Sequence, residues 1–138
     1  MLCGSATFAK QILEAKKVLE KAGHLCHTTE DMEHYSENPD AKLSFEEELK
    51  LSIQYDVMRQ CLKKVAESDA VLFLNYEKNS IKGYLGTSML MEIGLAYYLD
   101  KKIYLLHTID QSQNYALELA VIKPVILDGD ISKVPLLT

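Results

Sequence analysis

Apolar positions along the chain switch between two spacings, and the switches alternate. Met1–Cys3 is a short apolar start, and Gly4-Ser5 then opens a helical stripe. Phe8, Ile12, Ala15, Leu19 and Ala22 fall at i, i+4, i+7, i+11 and i+14. Gly23 stands where helices end in a left-handed residue. His24–His27 reads as a short strand. The polar stretch Thr28–Lys42, with Pro39, reads as a long loop of the kind that serves as a lid or binding segment. Ser44 and Glu47 form a capping box for a long helix running to about Glu67. Its expected buried face is Leu49, Ile53, Val57, Cys61 and Val65. Glu46, Glu47 and Glu48 come early and Arg59, Lys63 and Lys64 late, the order the helix dipole favours.

Strands are expected at Ala70–Leu74, Ile103–Leu106 and Val125–Leu127. Between them lie a helix carrying Glu92 and ending near Leu99, and a weaker one over Asn114–Ile122. Asp128-Gly129-Asp130 turns the chain, and the tail Val134–Leu137 is apolar enough to pack. This alternation predicts an α/β fold: a doubly wound five-stranded parallel sheet of order 2-1-3-4-5, with helices on both faces. At 138 residues it fits one domain, 1–138. Ligands of such sheets bind beyond the strand carboxyl ends at the switch point. Here that crevice opens between Gly4-Ser5 and the loop after Asn75.

Charge and cysteine usage narrow the partners. A net charge of −5 argues against a nucleic-acid polymer or an anionic membrane, and leaves room for a small phosphorylated ligand. No apolar run reaches the ~20 residues of a bilayer span, and no secretory leader is evident. Cys3, Cys26 and Cys61 are odd in number and lack ligand spacing, which points to a reduced cytoplasmic setting. No metal and no cofactor are expected.

Two segments could carry chemistry. Gly4-Ser5-Ala6-Thr7 offers free helix-start amides and hydroxyls that suit a phosphate, and Ser5 serves equally as a plain N-cap. Glu92 follows the strand and a glycine-bearing loop. A carboxylate there can attack a sugar anomeric carbon as a nucleophile, or act as acid or base. Position alone favours a solvated glutamate in the first turn of a helix. Among the histidines, His24 and His27 point to opposite edges, His34 lies in the polar loop, and His107 ends a strand on the crevice side. Tyr76, Tyr84 and Tyr115 lie in or near loops where one could stack on a base, and Lys78 and Lys82 could assist a phosphate.

These residues give the chain a resemblance to the nucleoside 2-deoxyribosyltransferase superfamily, which includes the 2'-deoxynucleoside 5'-phosphate N-hydrolases. The matching pieces are Cys3-Gly4-Ser5, Asp69-Ala-Val-Leu and Met91-Glu92-Ile-Gly94-Leu-Ala96. Lys102–Leu106 and Lys123–Asp130 extend the similarity, and Asn75-Tyr76-Glu77-Lys78 resembles a loop of one branch. The resemblance implies a Rossmann-like fold and cleavage of the N-glycosidic bond of a (deoxy)nucleoside 5'-monophosphate, by hydrolysis or deoxyribosyl transfer. It gives Glu92 the nucleophile's role and substrate contacts to Cys3, Gly4, Ser5, Asn75, Gly86, Thr87 and Ser88. It also implies a homodimer, or higher homo-oligomer, whose partner subunit closes the site. The chain departs from the family pattern in three places. Met1 or Leu2 stands where a tyrosine is usual, Gly86 where a carboxylate or serine is, and Cys61 where an aspartate is, with Asp56 displaced on the same helix. The alternative is a nucleotide-binding or sensing module without turnover.

Overall fold

The computed structural model describes residues 1–40 and 42–136. Four short strands form one parallel sheet: β1 (Leu2–Cys3), β2 (Ala70–Phe73), β3 (Lys102–Leu105) and β4 (Val125–Ile126), in spatial order β1-β2-β3-β4. The helices are α1 (Ala9–Lys21), α2 (Asp31–Glu37), α3 (Phe45–Gln54), α4 (Val57–Glu67), α5 (Thr87–Tyr98) and α6 (Ala116–Ile122). The register lines up Leu2, Leu72 and Tyr104 in one row and Cys3, Phe73 and Leu105 in the next. Because successive strand residues face opposite sides, the two rows serve two cores. Leu2, Leu72, Leu74, Tyr104 and Leu106 pack with Ile12, Ala15 and Leu19 of α1 and Met32 of α2. Cys3, Val71, Phe73, Ile103 and Leu105 pack with Val65 of α4, Met89, Ile93 and Ala96 of α5, and Leu119 of α6. Helices therefore cover both faces. Each fully buried Leu, Ile or Phe contributes about 1.5–3 kcal/mol.

The expected five strands in order 2-1-3-4-5 are corrected to four in order 1-2-3-4. His24–His27 is not a strand; its bond to β1 is Leu2 N–H to the His27 carbonyl, at 2.9 Å. β1 is two residues long and offers little edge to pair with, and Leu25, 85% exposed, gives that segment no face to bury.

Three further expectations change. Thr28–Lys42 contains α2, whose Asp31 and Met32 are buried, so it is not an irregular loop. Asp31 and Glu33 lie in the first turn of α2 and His34 in its last, a dipole-matched order. The single helix from Ser44 to Glu67 is two helices, broken at Tyr55–Asp56, where Asp56 is left-handed at φ 47°. Apolar residues spaced by four drift about 40° per step on a helix of 3.6 residues per turn, so the stripe cannot stay on one face without a break. Only its C-terminal part packs: Val65 is buried, whereas Phe45 and Ile53 are 78% and 70% exposed. The Ser44–Glu47 capping box forms as read, with bonds of 2.8 and 3.2 Å. In the tail, Val134 packs against the α1-side core and Leu136 is exposed, while Leu137 lies outside the described residues.

Candidate functional site

Glu92 is the sixth residue of α5, in its second turn. Met89, Glu92, Ile93 and Ala96 recur at helical spacing and form the inward face, so the carboxylate lies on a core stripe. It is 6% exposed, which removes the solvated-glutamate account. The thiols of Cys3 on β1 and Cys61 on α4 flank it and favour its ionised form, yet neither closes a well-aligned hydrogen bond on Oε2, which is buried and unpartnered. Burial pushes the Glu92 carboxyl above its ordinary value, and the nearby charge of Asp31 adds to the rise against the opposing thiols. Both thiols are themselves pushed up, first by burial and then by Glu92. They are weak donors held neutral.

The sign of this shift makes a prediction. A carboxyl whose folded value is raised contributes its full share of stability below about pH 4.5, its ordinary value, and loses it as pH rises through the folded value. Glu92→Gln should therefore flatten the fall in stability above that pH. Urea unfolding midpoints from pH 4 to 8 check this; parallel curves for the two proteins would exclude it.

A second group gathers at the start of α1. Ser5 N-caps the 3-10 turn Ala6–Phe8, accepting from Thr7 N–H at a long 3.4 Å. Its hydroxyl also accepts from Lys78 Nζ at 2.9 Å, and that ammonium lies 5.5 Å from the Tyr84 ring centroid. Lys78 makes no ion pair among the described residues. A half-buried lysine on a hydroxyl, beside helix-start amides, presents positive potential without a counter-charge. Gly4 permits the close approach: a Cβ there would lie 2.8 Å from Ile12 Cδ1. Cys3 and Ser5 are two residues apart, about 7 Å at full extension. The carboxylate and the cationic corner thus share one end of the sheet.

Asn75 has a different place. It is fully buried; its amide donates to the His107 carbonyl at 2.8 Å and the Gly83 carbonyl at 3.3 Å, and its Oδ1 accepts from His107 N–H at 2.9 Å. It ties the β2 end to the β3 end and to the loop carrying Lys78. Gly86 N-caps α5 without a side-chain bond; Thr87 and Ser88 are exposed, Ser88 Oγ lying 3.9 Å from Met58 Sδ. Tyr76 packs against Phe8, with ring centroids 5.1 Å apart, and lies beside His107. Tyr115 packs on the α5-side core. Asp56 is exposed and bonded to Arg59 at 3.0 Å.

Sequence reasoning missed Asp31. It is 6% exposed, and its Oδ1 is buried with no partner. Inside a polar run nothing marks such an acid as buried. The available signal was Met32 beside it, an apolar residue able to anchor a helix there. Among the described residues, no group of three His, Cys, Asp or Glu stands in a metal-holding arrangement, and no helix is long and apolar enough to cross a membrane. A cavity of about 350 Å³ opens at the opposite end of the strands, lined by Met1, His24, Cys26, Ser68 and Leu136 among others. Its carboxylates are those of Glu67 and Asp69, and Glu92 is not among its lining residues. No protein-family model, curated protein or solved structure matches this chain.

Proposed function

We propose that the protein cleaves the N-glycosidic bond of a (deoxy)nucleoside 5'-monophosphate through Glu92, by hydrolysis or deoxyribosyl transfer. The observation that carries this reading is a nine-tenths buried carboxylate with an unpartnered oxygen, near an uncompensated lysine at a helix start. Such a carboxylate, dry and acceptor-only, suits attack on an electron-poor anomeric carbon. Ser5, Lys78 and the amides from Gly4 to Thr7 suit the 5'-phosphate. The resemblance supplies the substrate class. Incubation with a panel of deoxynucleoside monophosphates should release free base.

Lys78→Met should weaken a deoxynucleoside monophosphate roughly 10- to 100-fold, the worth of one charge-assisted bond, and leave the parent nucleoside unchanged. Calorimetric titration of both ligands measures this. Equal losses for both would remove Lys78 from the phosphate site.

The partner-subunit part of the reading rests on exposed apolar side chains of α3 and α5. Phe45, Leu49 and Ile53 follow one another along α3, and Met91 and Tyr98 lie on the outer face of α5. A homodimer through these helices should appear as twice the 15.6 kDa chain mass in light scattering. A monomer at enzyme-assay concentration would exclude subunit sharing of the site.

A nucleotide-binding module without turnover is favoured by one feature. Thiols, held neutral by burial, stand beside Glu92 where an acid or base would assist the leaving base. Binding of the monophosphates without base release is its signature.

A further inference from the structure

The cavity at the far end of the strands from Glu92 has a chemistry of its own. Leu72 and Tyr104 stand side by side in the register of β2 and β3 and give it a wall. Leu19 near the end of α1 and Pro135 and Leu136 of the tail add further apolar surface. At about 350 Å³ it falls within the roughly 300–1,000 Å³ of small-molecule pockets. Its charges are one-sided. Glu67 ends α4 and Asp69 precedes β2, and no lysine or arginine lines the cavity beside these two carboxylates. Glu67 pairs loosely with exposed Lys63 at 3.9 Å, whereas Asp69 makes no ion pair among the described residues. The Met1 nitrogen is spent on the Ala70 carbonyl at 3.0 Å, and Ser68 Oγ on the Lys64 carbonyl. Tyr104 is an independent sign. It is 6% exposed and lines the cavity, and its hydroxyl makes no hydrogen bond among the described residues. A phenol buried that deeply ordinarily bonds within the fold; this one opens on the cavity instead.

We infer that this cavity binds a small amphipathic amine, with its ammonium beside Asp69, its apolar body against Leu72 and Pro135, and a hydroxyl on Tyr104. A cation complements an unpaired carboxylate, and the apolar walls take the body out of water. A ligand hydroxyl can both donate to a phenol and accept from it. Asp69 stands three residues before Leu72, the register partner of Tyr104, about 10 Å along a strand. The two polar ends of the ligand are therefore separated by a body of about that reach, which an aryl-ethylamine frame supplies. An acid of the same shape meets like charge, and an amine without the hydroxyl satisfies only one end. The site shares no lining residue with the corner of Glu92, Ser5 and Lys78, so it stands apart from the glycosidase reading.

The test uses the full chain, Tyr104→Phe and Asp69→Asn, and three probes: tyramine, phenethylamine, which lacks the hydroxyl, and 4-ethylphenol, which lacks the amine. Each is titrated at pH 7.5 by amide NMR. Saturable tyramine shifts are expected at residues 23–27, 69–70 and 104, and not at Glu92. Tyr104→Phe should weaken tyramine roughly 3- to 10-fold, the worth of one neutral hydrogen bond, and leave phenethylamine unchanged. Asp69→Asn should weaken both amines severalfold and leave 4-ethylphenol unchanged. Because Tyr104→Phe removes a single unbonded hydroxyl, its thermal midpoint should match that of wild type. A lowered midpoint with unchanged tyramine affinity means that the hydroxyl serves the fold, and overturns the inference. So does the lack of saturable tyramine binding, a shift pattern centred on Glu92, or an equal loss for all three probes in either variant.

Discussion

Glu92→Gln is expected to reduce base release from a deoxynucleoside 5'-monophosphate by at least roughly 10³-fold, the scale of losing a covalent nucleophile. In the proposed step a Glu92 oxygen bonds to C1' as the C1'–N bond breaks. The bond's electron pair departs on the base, which takes up a proton from water. Water or a second base then displaces the carboxylate. An amide matches the shape but has neither the charge to stabilise an oxocarbenium-like centre nor the nucleophilicity to trap it. The same substitution should make the protein more stable at neutral pH, because the carboxyl it replaces is raised by burial and by Asp31. Loss of activity with gain of stability distinguishes a functional buried acid from a structural one. Equal base release by wild type and variant would show that Glu92 is not the nucleophile. Monophosphate binding with no release by either would establish the binding-module reading.

The sheet was legible because its strands are short runs of apolar residues bounded by polar ones. Val71 to Leu74 and Ile103 to Leu106 are buried on both faces, as continuous runs in parallel sheets are. The edge strand was not legible. His24–His27 has a strand's brevity, but whether it pairs depends on the length of β1 beside it, which local pattern does not encode. Helix α1 was legible from its stripe, and Gly23, at φ +100°, stops it as read. The break between α3 and α4 was missed because a spacing of four imitates a continuous stripe until its drift is added up. At the site, the glycine loop and strand end pointed to Glu92, but its depth came from α5 turning the Met89–Ala96 face inward. The resemblance gave Asn75 a substrate contact, and its structural task was not legible. Its three bonds to main-chain groups depend on where β3 and the Gly83 loop arrive, which is tertiary information. The same holds for Asp31, whose burial depends on α2 packing against α1.

Gly83→Ala should be the most damaging single methyl in the chain, costing about 4 kcal/mol or more, at the exceptional end for point substitutions. Gly83 is buried and sits at φ +64°, where an L side chain is strained. A Cβ built there overlaps the Thr108 carbonyl oxygen and crowds Ile109 Cα at 3.2 Å. Both obstacles are backbone, so no rotamer change relieves them. The loop or the β3 end must move, and these are the two segments that Asn75 clamps together through the Gly83 and His107 carbonyls. Displacing Gly83 therefore strains a buried amide as well as a turn, and leaves Asn75 with an unmet donor. The consequence reaches the site, because the loop from Tyr76 to Gly86 holds Lys78 against Ser5 and delivers the N-cap of α5. Chemical denaturation should show a lowered midpoint with an unchanged slope, and the surviving folded protein should bind monophosphate more weakly. Gly94→Ala is the control. It lies on the outer face of α5 with nothing within 4 Å of a built Cβ, and in a helix interior alanine is favoured by about 1 kcal/mol. A Gly83→Ala protein as stable as Gly94→Ala would mean that this loop is not pinned against β3.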